Sequence, residues 1–315
     1  MNILIVGAAG NLGSHIARHL LKGPHRLSLL VHKTPLPEAL ANHPNVTVAS
    51  GDLDDPASLH AATAGVNCVV YVAGVLFEPR PERFLHRTNM IYVQNIVDAA
   101  LKAGVERFIL ISFPHIEENT TPDSPATGRQ DVQPRSIHAR TRLEAEKYLF
   151  SAHQNKSINP VVLRAGVIYG RDVKLIEAAR KLLRYRLLAI WPTPTWVHLL
   201  ALPDFLRSVE IAIERANLSG IYNICDDCPV MLQEFIDELA GHWGYRKPWR
   251  LPDRCFYVSA SVCEWLATVA HSRTPLTHDM IQMGMTSVVA DTSRMKQEIQ
   301  KELLYPTFRH GLAIV

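Results

Sequence analysis

Short apolar runs alternate with segments of helical periodicity over the first 165 residues. The runs at 2–6, 27–31, 46–50, 68–72, 108–112 and 160–164 are apolar almost throughout rather than at every second position. That pattern predicts strands covered on both faces, as in a parallel sheet. Between them, 12–22, 56–64, 85–103 and 139–153 place apolar residues at helical spacing, and Asp55-Pro56 has the form of a helix start. Strand and helix in regular alternation predict an α/β fold: a Rossmann-type doubly wound parallel sheet with helices on both faces. Residues 117–134, rich in Pro, Thr, Asp and Gly, lack periodicity and are expected to form a flexible loop over the sheet's C-terminal edge, where ligands bind in such folds. Beyond Gly170 the alternation weakens, with helices expected at 174–186, 203–216, 231–243 and 258–269. The organisation expected is a dinucleotide-binding domain over 1–170 and a smaller mixed C-terminal, substrate-binding lobe over 171–315, partly interleaved with the first.

The first strand runs straight into Gly7-Ala8-Ala9-Gly10-Asn11-Leu12-Gly13 and a helix. In such a turn Gly7 permits the tight bend, Gly10 lets backbone approach a diphosphate, and Gly13 permits close packing of helix on strand. The helix then presents unpaired N–H groups and its positive dipole end to the phosphates. A strand before, a helix after and a βαβ frame predict a dinucleotide site; the alternative is a glycine-rich turn of an α/β protein without ligand. The second strand ends in His32-Lys33-Thr34, without the acid that bonds the ribose 2′-hydroxyl of NAD(H). A cationic pair there predicts NADP(H) over NAD(H), with NAD(H) left open; the alternative makes Lys33 a solvated loop cation.

Further motifs carry a family resemblance. Gly51-Asp52-Leu53-Asp54-Asp55-Pro56, Val72-Ala73-Gly74, Thr88-Asn89 and the stretch from Val162 to Gly170 join the glycine turn. Toward the end stand Arg273-Thr274-Pro275-Leu276-Thr277, Ala290-Asp291-Thr292-Ser293 and Leu304-Tyr305-Pro306 with Gly311. Together they resemble the extended short-chain dehydrogenase/reductase (NAD-dependent epimerase/dehydratase) family over nearly the whole chain, nearest its hydroxysteroid dehydrogenase and dihydroflavonol reductase branch. The resemblance implies that Asp52 and Leu53 flank the adenine and that Ala73-Gly74 line the path to the nicotinamide. It also implies a Ser or Thr after the fifth strand and a Tyr-x-x-x-Lys pair opening the next long helix. Here His138 stands at the tyrosine position and Arg142 at the lysine position, while Ser112 falls one residue before the expected serine, where Phe113 stands.

Three readings follow. His138 acts as general acid/base, Arg142 supplies fixed charge and holds the cofactor ribose, and Ser112 or His115 supplies a hydrogen bond. Alternatively cofactor binding survives without catalysis, giving an NADP(H)-binding regulatory or assembly protein. In the third, these residues are merely a solvated helix start. Within enzymes, a reductase of a small carbonyl or hydroxyl compound fits better than a sugar-nucleotide epimerase or dehydratase, which needs reversible hydride and proton transfer.

Composition narrows the partners. With 315 residues, 47% hydrophobic, and a net charge of +3, the chain has no charge run pointing to nucleic acid. Five cysteines, among them an isolated Cys225-Asp226-Asp227-Cys228, and no paired histidine motif argue against a metal site and for reduced thiols in a cytoplasmic protein. The start has no basic leader, and no apolar stretch is long enough to span a bilayer. The expected partner is a small-molecule substrate; the apolar helix 258–269 packs either against the sheet domain or against a second subunit, and the family resemblance implies a homodimer paired through long helices. Trp191 and Trp196, set among prolines, either border the substrate cleft or pack within a turn. The run Arg180-Lys181-x-x-Arg184-x-Arg186 either neutralises a substrate anion or forms a solvated helix face.

Overall fold

Four consecutive residues of β1 (Asn2–Val6) are buried, and they face alternate ways: Ile3 and Ile5 enter one core cluster, Leu4 and Val6 the other. A strand buried on both faces needs a cover on each side, and the chain supplies it by alternation. The computed structural model describes all residues except 75–79, 155–157, 271, 273 and 275, so Arg273 and Pro275 of the C-terminal motif lie outside the described residues. After β1 come α1 (Asn11–Leu20), β2 (Arg26–Val31), the single turn α2 (Glu38–Ala41), β3 (Val46–Ser50), α3 (Pro56–Thr63) and β4 (Cys68–Tyr71). Then follow α4 (Tyr92–Lys102), β5 (Arg107–Ser112), α5 (Ile137–Gln154) and β6 (Asn159–Ala165).

The second half contains β7 (Val167–Tyr169), α6 (Lys174–Arg184), β8 (Ala189–Ile190), β9 (Trp196–Val197), β10 (Leu199–Ala201) and α7 (Leu202–Glu214). It continues through β11 (Gly220–Ile224), β12 (Val230–Met231), α8 (Leu232–His242), β13 (Trp249–Arg250), α9 (Asp253–Val269), α10 (His278–Met285) and α11 (Ser293–Glu298). The main sheet has seven strands in the order β11-β6-β5-β4-β1-β2-β3, with every pair parallel. Strand order reverses between β1 and β4, the switch point at which doubly wound sheets open a ligand crevice. The seventh strand comes from beyond position 170, and the second half otherwise forms three two-stranded ladders. No described helix is long and apolar enough to cross a membrane.

The chain makes its first turn at very close quarters. Gly7 has φ +101°, and a Cβ there would lie 2.7 Å from the backbone nitrogen of Ala73; one on Gly13 would lie 2.1 Å from the Gly7 carbonyl oxygen. Neither position tolerates a side chain without moving backbone. The helix expected from residue 85 opens instead with a π-helical turn, His86–Ile91, ahead of α4. The wider turn carries Asn89, which is buried and donates from Nδ2 to Thr141 Oγ1 at 3.0 Å.

Residues 117–134 are irregular, as expected, but they are tethered rather than loose. The Glu117 carboxylate accepts the backbone N–H groups of Thr127, Gly128 and Arg129 at 2.7–3.0 Å, and Glu118 accepts those of Arg135 and Ser136. Ala126 bridges to Ala290 near the far end of the chain.

Gly13→Ala is expected to destabilise the cofactor-free protein by about 2 kcal/mol or more in urea unfolding, through overpacking. Gly241→Ala in α8, where an added Cβ meets nothing within 4 Å, should stabilise by about 0.5–1 kcal/mol. Equal responses would contradict the packing assigned to Gly13.

Candidate active site

The front of α1 is built to meet an anion. Its N-cap is Gly10, in an extended conformation with no side chain to cap the helix, and the first turn holds no acid. Gly10 N–H bonds the Gly7 carbonyl and Ser14 N–H the Gly10 carbonyl. The amides of Asn11, Leu12 and Gly13 have no acceptor among the described residues. Three such donors with the dipole behind them suit a diphosphate. The Asn11 side chain is occupied, its Nδ2 donating to the Asp172 carbonyl at 2.8 Å and its Oδ1 accepting from Lys174 N–H at 2.9 Å. Only its backbone is available to a ligand.

At the end of β2, His32 and Lys33 are exposed, and Asp52, two residues beyond β3, places Oδ2 3.4 Å from His32 Nε2. The Asp52–Asp55 turn is tight, with Asp54 N–H donating to Asp52 Oδ1 at 3.0 Å, and the Leu53 carbonyl accepts from Asn95 Nδ2 at 2.8 Å. Beyond β4, Ala73 packs its backbone on Gly7, and Gly74 faces Arg142: a Cβ there would lie 3.7 Å from Arg142 Nη2.

The opening turn of α5 carries the sharpest chemistry. His138 is 6% exposed and Arg142, one turn later, 7%. His138 Nδ1 lies 2.5 Å from Asp279 Oδ2, on α10. A carboxylate only accepts, so Nδ1 carries the hydrogen. Nε2 is then the basic nitrogen, and it is buried without a partner among the described residues. Asp279 also accepts Ile137 N–H at 2.9 Å and the Ser136 hydroxyl at 3.1 Å. Burial alone would push the Asp279 carboxyl up; the bond and charge of His138, with those two donors, outweigh it and hold the carboxyl below the usual range. Thr277 fixes α10 itself, its side chain accepting Met280 N–H. Arg142 is more exceptional. Its Nε and Nη1 are buried with no partner among the described residues, and burial lowers its pKa against the opposing pull of Tyr71 and Glu146.

Ser112 is engaged within the protein. Its hydroxyl donates to Glu146 Oε1 at 2.6 Å, inside a buried cluster centred on Arg164. Arg164 donates from Nη2 to Glu146 Oε2 and from Nη1 to Glu117 Oε1, both at 2.7 Å, and is fully buried. The serine hydroxyl thus spends its one hydrogen on this ion cluster, and its oxygen keeps its capacity to accept. His115 packs edge-on against Phe113 with ring centroids 6.0 Å apart. Trp191 is buried, donating to Thr195 Oγ1 at 2.8 Å and packing on Phe256 of α9. No group of three metal-binding side chains occurs among the described residues, and the cysteines are unpaired. Sequence reasoning missed Asp279, because only the fold brings it to His138 from 141 positions away.

The model of the NAD dependent epimerase/dehydratase family matches residues 3–225. The chain belongs to that family. Within it, the chain is 26% identical over 301 residues to a 2-alkyl-3-oxoalkanoate reductase of Stenotrophomonas maltophilia, covering 91% of this chain and 90% of the reductase. It is 28% identical to the 3 beta-hydroxysteroid dehydrogenase type 7 of Rattus norvegicus over 49% of each chain, so it spans about half of that relative. The solved dTDP-glucose 4,6-dehydratase of Streptomyces venezuelae, with NAD and TYD bound, superposes with a TM-score of 0.79 at 17% identity, covering 100% of this chain and 95% of that one. That likeness establishes the fold, the Rossmann-type arrangement expected from the sequence. The chain carries the glycine turn and opens α5 with a carboxylate-held histidine and a buried arginine.

The lowered Asp279 carboxyl stabilises the fold above the unfolded carboxylate pKa, and that contribution disappears as pH falls through the folded value. Asp279→Asn should therefore cost about 2 kcal/mol at pH 7 in urea unfolding. The gap from wild type should close below pH ~4. A gap independent of pH would contradict the ion pair.

Proposed function

We propose that the protein is an NADP(H)-dependent oxidoreductase that interconverts a small carbonyl compound and its alcohol, with His138 as the proton-transfer residue. The observation that carries this reading is the bond from His138 Nδ1 to Asp279, which fixes the tautomer and leaves Nε2 buried, basic and unpartnered. Proton transfer to or from a reacting oxygen is a role that histidine commonly takes in catalysis. The unpaired amides of α1, the side-chain-free turn and the orphaned guanidinium of Arg142 fit a dinucleotide, with α1 holding its diphosphate and Arg142 a ribose. When bound, the nicotinamide supplies or accepts the hydride. In the reductive direction His138, protonated at Nε2, gives that proton to the carbonyl oxygen as the carbon gains the hydride, and in the oxidative direction it takes the hydroxyl proton. Asp279 holds the ring and stabilises the imidazolium. Likeness to the 2-alkyl-3-oxoalkanoate reductase over nine-tenths of its length supports a reductase of an oxo compound. The preference for NADP(H) rests on Lys33, exposed at the end of β2 and in no ion pair among the described residues. The nearby Asp52 leaves room for NAD(H).

A second reading, an NADP(H)-binding regulatory or assembly protein without turnover, is favoured by Ser112, whose hydroxyl is committed to Glu146. Turnover decides between them. NADPH oxidation over a panel of aldehydes, ketones and 3-oxo acids is expected for wild type. His138→Ala should lower kcat by about 100-fold or more while leaving the NADPH Kd within about twofold. Lys33→Glu should weaken NADPH relative to NADH by about tenfold. Tight NADPH binding without oxidation on any carbonyl would establish the second reading instead.

A further inference from the structure

Twelve of the fifteen large apolar residues that stand exposed among the described residues fall in two short segments, 175–187 and 249–269. On α9 they form one arc: Val258, Val262, Trp265, Leu266 and Val269 follow helical spacing, with Val258, Trp265 and Val269 each more than 60% exposed. The opposite side of α9 is covered, with Phe256 against Trp191 and Ala260 and Ala267 buried. An apolar face of this extent on an exposed helix marks an interaction surface.

Charge identifies the partner. Residues 174–187 and 246–269 hold nine Lys and Arg against three acids, a balance of +6, or +5 once Asp237 of α8, which pairs with both Lys247 and Arg250, is included, while the whole chain carries +3. The two segments are joined: β13 pairs with β8, and Trp249 donates from Nε1 to the Arg186 carbonyl at 3.0 Å while the Arg186 guanidinium lies over its ring at 5.0 Å. Just beyond, Arg180, Lys181 and Arg184 line an open groove of about 470 Å³ with Tyr185, Tyr245 and a single acid, Glu177. Arg180, Lys181, Arg184 and Arg254 form no ion pair among the described residues. A second copy docked about a two-fold axis would set this cationic surface against itself, which opposes pairing. Nucleic acid would match the cations but not the valines and leucine of α9. An anionic lipid leaflet matches both.

We propose that α9 and the adjoining basic groove dock on the surface of an anionic phospholipid bilayer, with α9 lying in the interface and its Val, Leu and Trp side chains among the acyl chains. Helices that combine an apolar face with flanking Lys and Arg bind membranes in this way, and Trp favours the interfacial zone. The surface lies away from His138 and Arg142 in sequence and requires no turnover, so its test is independent of the proposed activity.

The test is co-sedimentation of the full chain with vesicles of phosphatidylcholine alone or with about one-third phosphatidylglycerol. Pelleting with the anionic vesicles, weak pelleting with the neutral ones, and release by added salt are expected. The double variant Val262→Asp, Trp265→Asp should keep the wild-type melting temperature and lose about tenfold or more in partitioning. Lys181→Glu with Arg184→Glu should lose about fivefold for each charge. Equal pelleting on both vesicle types would overturn the proposal. So would a dimer by light scattering that Val262→Asp, Trp265→Asp converts to monomer, or duplex DNA binding with no vesicle binding.

Discussion

A guanidinium taken out of water must find partners, and two arginines at the C-terminal edge of this sheet resolve that constraint in opposite ways. Arg164 is fully buried and spends its donors on Glu146, Glu117 and the Arg129 carbonyl. Those carboxylates in turn bind the Ser112 hydroxyl and three backbone amides of the 117–134 segment, so one buried cation organises a loop, a strand end and a helix. Removing one member of such a cluster leaves the others uncompensated, which costs far more than the cluster contributes. Arg142 lies on the same helix as Glu146, nearly as buried, with two nitrogens unpaired among the described residues. A buried charge left unpaired in the protein alone is a cost that a bound ligand relieves. On this account the first arginine holds the edge of the sheet together and the second recognises what binds there.

The rest of the site grows from the same edge. Close packing of the Gly7–Gly13 turn on Ala73 brings the end of β4, and with it Gly74 and Arg142, alongside the front of α1. The second half of the chain then completes what the sheet begins. Asn11 is latched to the Asp172–Lys174 segment, β11 adds the seventh strand, and Asp279 from α10 grips both His138 and the first amide of α5. A histidine ring at this position has to be oriented, and the carboxylate that orients it comes from α10 in the second half of the chain.

Much of this was legible in the chain because it depends on local pattern. The largely apolar runs of β4 and β5 are buried at every position, and Asp55 accepts Ala57 N–H to start α3 as Asp55-Pro56 foretold. The glycine turn was legible for the same reason, since its spacing encodes its own geometry. Features set by distant partners were not. Ser112 looked catalytic by position, but its partner is Glu146 on the next helix. The 117–134 segment read as flexible because side-chain-to-amide tethers leave no periodic trace. Asp279 gave no signal, and the π-helical turn at His86–Ile91 has the residue pattern of an ordinary helix. The basic run of α6 was visible in the chain, but its neighbourhood with the cations around β13 was not, because the β8–β13 ladder joins segments some sixty positions apart.

The claim that Arg142 awaits a dinucleotide is open to one direct measurement: calorimetric titration of NADPH into wild type and Arg142→Met. A saturable one-to-one isotherm for wild type, with affinity reduced about tenfold or more in the variant through loss of a charged hydrogen bond, is the result predicted. No heat of binding with millimolar NADPH, or equal affinity in the two proteins, would contradict it.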